Sequence, residues 1–283
     1  MPEFAPLQTV HVGDVRVTYL PDGGGIVEPL ALYPASTAAG WEKYPQLLDD
    51  EGKFRTTIGA YLIQVGDRHI AVDTGMGPVT VPFPGFGPFF GGRYLHSLAA
   101  TGVARAAVTD VWFTHLHLDH VGWTTLEEDG QRGLTFPNAR HAVSRAEWEF
   151  WYGGENPAGP DAAVQGALHG RIHHFANGDE VAPGITVVAT PGHTPGHVSL
   201  LIERAGQRLY ILGDVLHGVM QLQEPDWSVA FDVDQAAARA TREALYPQLA
   251  RPDTIVAVNH FSNTVFGRIV PDGAVWRWEP LAG

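Results

Sequence analysis

Three histidines and an aspartate fall within six positions, His115, His117, Asp119 and His120 in HLHLDH. Imidazole and carboxylate groups at this density suit zinc, iron, cobalt or manganese, and the hexapeptide offers such a cation up to four ligands. The chain has no cysteine, which removes thiolate ligands, disulfides and a cysteine nucleophile together. It also has no GxSxG elbow and no P-loop, so neither a serine nucleophile nor a phosphate-cradling loop is signalled, and the chemistry these residues point to is that of a bound metal. Three more donors follow apolar runs that read as strands. They are His193 after 185–189, Asp214 after 209–212 and His260 after 254–258. Remote strand ends that each deliver one donor are how a sheet edge assembles a site.

The elements needed to position these donors can be read from hydrophobic periodicity. Further strands are predicted at 11–20, 57–65, 69–72, 108–114, 140–144 and 198–203. Helices are predicted at 93–100, 144–151 with Ser144 as N-cap, 162–169 and 234–249. Strands in adjacent pairs with helices between the pairs suit two mixed sheets with helices outside. A strand ending at Thr114 would turn His115 and His117 to one side, because side chains alternate along a strand. The length of 283 residues, 45% hydrophobic, allows one large domain spanning 1–283.

Two stretches resist assignment. Residues 78–92, PVTVPFPGFGPFFGG, are too broken for a helix and too rich in proline for an inner strand. Residues 218–234 mix aromatics with turn formers. Both are candidates for pocket walls or a subunit interface. Phe83, Phe86, Phe89, Phe90, Trp123, Met220, Trp227 and Phe261 flank the metal motifs, and at least three of them are expected to line a substrate cleft.

A net charge of −13 with 18 Lys+Arg disfavours a nucleic-acid partner, which would need clustered basic side chains. The N-terminal MPEFAPLQTV lacks a basic segment leading into a long apolar run, and no window approaches the ~20 apolar residues of a membrane span. These features predict a soluble, cytoplasmic protein with no membrane partner.

The order HLHLDH, PGH, Gly-Asp and a late histidine resembles the metallo-β-lactamase superfamily, and IAVDTGMG at 70–77 resembles the segment that precedes its metal motif. The resemblance implies an α/β fold, an αββα sandwich of two mixed sheets with helices on the outer faces. It also implies two divalent ions, zinc by default, with iron, cobalt or manganese as alternatives. His115, His117 and His193 would hold one, and Asp119, His120 and His260 the other, with Asp214 bridging them. Asp73 would orient a ligand histidine, since a ligating imidazole needs its other N–H fixed. His197 would support the PGH turn.

Several branches fit less well. Class B β-lactamases generally lack an acidic bridge such as Asp214. Flavodiiron proteins usually place a glutamate where His117 stands, and persulfide dioxygenases lack a full second ligand set. Glyoxalase II enzymes continue into a helical C-terminal part, whereas 261–283 reads as strand and turn. The remaining pattern is similar to the N-acyl homoserine lactonases and methyl parathion hydrolases. Such lactonases usually carry a tyrosine three residues after the bridging aspartate, where this chain has His217. An imidazole there can hydrogen-bond substrate or pass a proton, or it can simply support the site.

The resemblance thus implies a dinuclear hydrolase of lactones or other carboxylic esters, acting through a metal-bridging hydroxide. Asp119, Asp214 and His217 would be its catalytic residues, and organophosphate triesters a side activity. The substrate would be a small molecule and the protein a homodimer. Organophosphate hydrolysis as the main activity and a metal-dependent RNA nuclease are the alternatives.

Overall fold

A computed structural model describes residues 2–281 of the chain. Strand Phe54–Val65 shows how the sandwich is built. Tyr61 and Ile63 point into one apolar cluster and Ala60 and Leu62 into another, because alternate side chains leave opposite faces of a strand. A strand apolar on both faces must be covered on both, and the fold is the result.

The first sheet has nine strands. Across it run His173–Phe175, Arg140–Ser144, Asp110–Trp112, Arg68–Val72, Phe54–Val65, Val15–Val27, Gly87–Phe90 and Thr80–Phe83, with Gln8–Val12 paired to Val15–Val27. The second has seven, Glu180–Ala182, Ile185–Ala189, Val198–Arg204, Gln207–Ile211, Thr254–Ala257, Phe266–Asp272 and Val275–Pro280. Each sheet mixes parallel and antiparallel pairs. Val17, Tyr19, Tyr61 and Val72 of the first sheet meet Val187, Leu200, Leu209 and Ile211 of the second in the central core. Helices Tyr94–Ala100, Arg145–Trp151 and Ala162–Leu168 cover the outer face of the first sheet, and Gln235–Leu249 covers that of the second. This is the expected αββα arrangement. No helix among the described residues is long and apolar enough to cross a membrane.

Residues 78–92 depart from the expected loop. They form a hairpin of Thr80–Phe83 and Gly87–Phe90 at the sheet edge, with Pro82 opposite Pro88. Pro82 is tolerated because Thr80–Phe83 is the edge strand, one side of which donates to nothing, and Pro88 precedes Phe89 and Phe90, the residues that pair with Val15–Val27. A second hairpin, Thr125–Glu128 with Gln131–Leu134, had no clear sequence signal. The strand expected at 108–114 is shorter, Asp110–Trp112. Beyond it, Thr114 N donates to Asp73 Oδ1 and Leu116 N to Glu147 Oε1, so side-chain carboxylates replace the ladder.

Candidate metal centre and substrate cleft

The chain leaves five strands of the two sheets at one edge of the sandwich. Asp73, His115, His193, Asp214 and His260 lie just beyond Arg68–Val72, Asp110–Trp112, Ile185–Ala189, Gln207–Ile211 and Thr254–Ala257 respectively. His115 and His117 converge from a loop rather than from a pleat, and His117 caps the short helix Leu118–Val121 that carries Asp119 and His120. Gly213 turns the chain into Asp214 at φ +57, where a Cβ would lie 2.7 Å from His197 Nε2. Glycine is therefore required at this position by both conformation and space.

One ligand atom each from His115, His117, His193 and Asp214 lies within 4.8 Å of the others, and Asp119, His120 and His260 form a second such group. Asp214 joins the two groups. Its Oδ2 lies 3.3 Å from His193 Nε2 and 2.9 Å from His260 Nε2, and its Oδ1 is 3.2 Å from His120 Nε2.

The outer nitrogens identify the tautomers. His120 Nδ1 faces Asp73 Oδ2 at 2.9 Å, His193 Nδ1 faces Asp232 Oδ1 at 2.8 Å and His260 Nδ1 faces Thr57 O at 2.8 Å, all acceptors. Thr114 Oγ1 gives its proton to Asp73 Oδ2 at 2.8 Å, so it accepts from His115 Nδ1 at 3.1 Å. With its outward nitrogen on an acceptor, each of these rings is set to turn Nε2 inward as a ligand. His117 Nδ1 then sits 3.0 Å from His115 Nε2 and 2.8 Å from His193 Nε2. Nitrogens at such distances must share a proton or a cation, and the three converge as ligands of one ion would. His120 Nε2 and Asp214 Oδ1 are both buried, and neither makes a hydrogen bond among the described residues. The donor set therefore fits two divalent ions held by imidazole and carboxylate alone.

The electrostatics agree. Burial pushes His115 and His117 well below the usual imidazole range. Burial opposes the charge on His193 too, but Asp214 and Asp232 outweigh it and raise the pKa to about 9.

His217 joins the cluster. Its ring stacks on His260 at 5.0 Å, its Nε2 is 3.1 Å from Asp214 Oδ2, and its Nδ1 has no hydrogen-bond partner among the described residues. Burial lowers its pKa to about 4 against the pull of Asp214, so the ring is neutral.

Three supporting residues, Asp232, Thr114 and Glu147, were not found from sequence, and a fourth, His197, does more than support its turn. Asp232 orients His193 and lies 3.8 Å from the buried Arg242 guanidinium. Thr114 orients His115. His197 reaches beyond its turn. Its Nδ1 donates to Thr190 O, so its Nε2 accepts the Asp214 N–H at 2.9 Å. Glu147 is fully buried and accepts from Leu116 N, Trp151 Nε1, Thr194 Oγ1 and Gly196 N, tying the HLH loop to the PGH turn. Only Glu147 left a local trace, the spacing Ser144-x-x-Glu147 of a capping box.

Asp73 stands at φ +64, a conformation asparagine also tolerates. Asp73→Asn therefore isolates the loss of the carboxylate. Metal affinity is expected to fall roughly 10- to 100-fold, read by competition with a coloured chelator. Unchanged affinity would remove Asp73 from the support of the centre.

A cleft of about 550 Å³, counting the open space at its mouth, lies over the donors, walled by Leu32, Met76, Phe83, Phe89, Leu118 and Phe231. Phe83 and Phe89 are the two aromatics of the expected set that line it, fewer than the three anticipated. Phe86 packs on Phe231 at 5.1 Å instead. Met220 and Trp227 are buried beside Tyr33 and Trp41, Phe261 packs on Trp278 at 5.0 Å, and Trp123 lies in the outer core of the first sheet. Full burial of a large apolar side chain contributes roughly 1.5–3 kcal/mol, and these four residues are committed to the core. Phe231, which does face the cleft, was not among the residues expected to.

A family model described as metallo-beta-lactamase superfamily matches residues 58–260. An N-acyl homoserine lactonase from Bacillus sp is 31% identical over 159 residues, 52% of this chain and 58% of that protein, so the chain spans somewhat over half of that relative's length. Among solved structures, AidC, a dizinc quorum-quenching lactonase in complex with a product, superposes at a TM-score of 0.83 with 22% identity, covering 99% of each chain. The hydrolase AbOPH of the beta lactamase superfamily gives 0.82 with 26% identity, again covering 99% of each chain. The matched span takes in Asp73 and all seven donors, and the chain belongs to the metallo-β-lactamase superfamily.

Proposed function

We propose that the protein is a dinuclear metal-dependent hydrolase of lactones or related carboxylic esters with an apolar acyl part. The observation that carries this reading is the seven-residue donor set, its nitrogens aimed inward, at the floor of an aromatic cleft. His115, His117 and His193 would hold one ion and Asp119, His120 and His260 the other, with Asp214 shared between them. Bound divalent ions, zinc by preference, lower the pKa of water and polarise a carbonyl oxygen.

The protein's own groups do the rest. Asp73, Thr114, Asp232 and the Thr57 carbonyl hold the rings in the donor tautomer. Asp119, 19% exposed at the cleft floor, is placed to take a proton from water. Neutral His217 on the wall gives its single N–H from Nε2 to Asp214 Oδ2 and so steadies the shared carboxylate beside the reacting carbonyl. Leu32, Phe83, Phe89 and Phe231 seat the acyl chain and exclude water.

The relatives named as N-acyl homoserine lactonases support the lactone reading. The residues that line the cleft include no lysine or arginine among those described, which weighs against an RNA backbone as substrate. Aryl phosphotriesters remain a second reading because the aromatic wall suits an aryl leaving group.

The test assays zinc-loaded protein against acyl homoserine lactones, γ- and δ-lactones, aryl esters and paraoxon-type triesters. Turnover of a lactone or ester, abolished by chelator and restored by zinc, is expected. No turnover of any lactone or ester would overturn the reading, and triester turnover alone would replace it.

A further inference from the structure

Asp22 lies on Val15–Val27 at the bulge between Pro21 and Gly23, where the extra residue leaves the ladder and its side chain is re-aimed. The residue is 1% exposed and makes no ion pair among the described residues. Six N–H groups converge on its carboxylate. Oδ2 accepts from Met76 N at 2.7 Å and Gly77 N at 3.1 Å. Oδ1 accepts from Gly92 N at 2.9 Å, Arg93 N at 2.8 Å, Tyr94 N at 2.8 Å and Trp123 Nε1 at 3.0 Å. A buried carboxylate satisfied wholly by N–H donors fixes the segments that supply them, since each donor would otherwise be left unpaired.

Those segments bear on the cleft. Residues 76–77 and 92–94 are the two feet of the hairpin Thr80–Phe83 and Gly87–Phe90, which brings Phe83 and Phe89 to the cleft wall. Met76 is itself on that wall, and Trp123 closes the motif that holds Asp119 and His120. We infer that Asp22 is a positioning residue that sets the apolar wall of the cleft at a fixed height above the donors, and so governs selection for the apolar part of the substrate. For its kinetic consequence the inference rests on the hydrolase reading.

Asp22→Asn keeps the volume but turns an NH₂ group toward some of the six donors. In the full-length, zinc-loaded protein, amide exchange at Met76, Gly77, Gly92, Arg93 and Tyr94 is expected to quicken at least ~10-fold, while Leu116 and Leu118 keep their protection. KM for a long-chain acyl lactone is expected to rise ~10-fold, with kcat within ~3-fold and metal content unchanged. For γ-butyrolactone, which carries no acyl chain, KM should scarcely move.

Gly91→Ala approaches the same carboxylate from the hairpin foot, its Cβ pressed against Asp22 Oδ2 and 2.6 Å from Gly77 O, and should reproduce the pattern if Asp22→Asn fails to fold. Unaltered exchange at both feet would overturn the inference. So would loss of metal and kcat with KM unchanged, which would tie Asp22 to the centre instead. If the wild-type protein turns over no lactone or ester, the proposed function falls, and the exchange comparison still decides the clamp.

Discussion

Asp214→Ala is expected to lower kcat/KM by at least ~10³-fold and metal content from two ions per chain to one or none. Asp214 Oδ2 lies within 3.3 Å of a nitrogen of His193, His217 and His260, and Oδ1 lies 3.2 Å from His120. Without the carboxylate, inward nitrogens from both groups face one another with the shared anion gone. Both sites should therefore weaken. Elemental analysis of dialysed protein beside steady-state kinetics reads both quantities. Retention of two ions with full turnover would show that Asp214 is not shared between the sites, and the dinuclear reading would not survive it.

The second large effect falls on stability. Glu147→Ala leaves Leu116 N, Gly196 N, Trp151 Nε1 and Thr194 Oγ1 facing a void. A buried unsatisfied donor costs roughly 1–3 kcal/mol, so even with partial relaxation the variant should lose about 3–5 kcal/mol. That is a large fraction of the ~5–15 kcal/mol typical of a folded protein. The midpoint of thermal unfolding should fall by roughly 10 °C. Glu147→Gln keeps an acceptor and should lose less than half as much. Calorimetry of both variants in chelator separates this effect from metal release. A midpoint within 2 °C of the wild type for Glu147→Ala would mean that the four donors find other partners.

Much of the scaffold was legible locally. The strands read at 140–144 and 185–189 keep those bounds in the structure. Ser144 caps its helix through Glu147 N, and Asp234 caps Gln235–Leu249 through Ala237 N. Alternation and capping act over a few residues, and a few residues of sequence display them.

The aromatics were legible only in part. Trp123 and Phe231 carry the same signal, a large apolar ring beside turn formers. Yet Trp123 donates to Asp22 inside the core and Phe231 faces the cleft. Which way a ring turns depends on elements far away in the chain, here the bulge at Asp22 and the hairpin that meets Phe231. Glu147 makes the same point. Its spacing from Ser144 suggests a capping box, but its side chain instead binds segments near residues 116 and 194–196, because a fully buried carboxylate takes the donors packed against it.

By itself the sequence determined the kinds of donor, their order and their places at strand ends, because ligand chemistry resides in side-chain type and strand ends in local pattern. The tertiary structure alone decided which nitrogen of each ring turns inward, that Asp214 lies against both groups of donors, and which phenylalanines wall the cleft. Those outcomes depend on contacts such as His193 with Asp232 and His260 with Thr57, formed only when distant segments pack together.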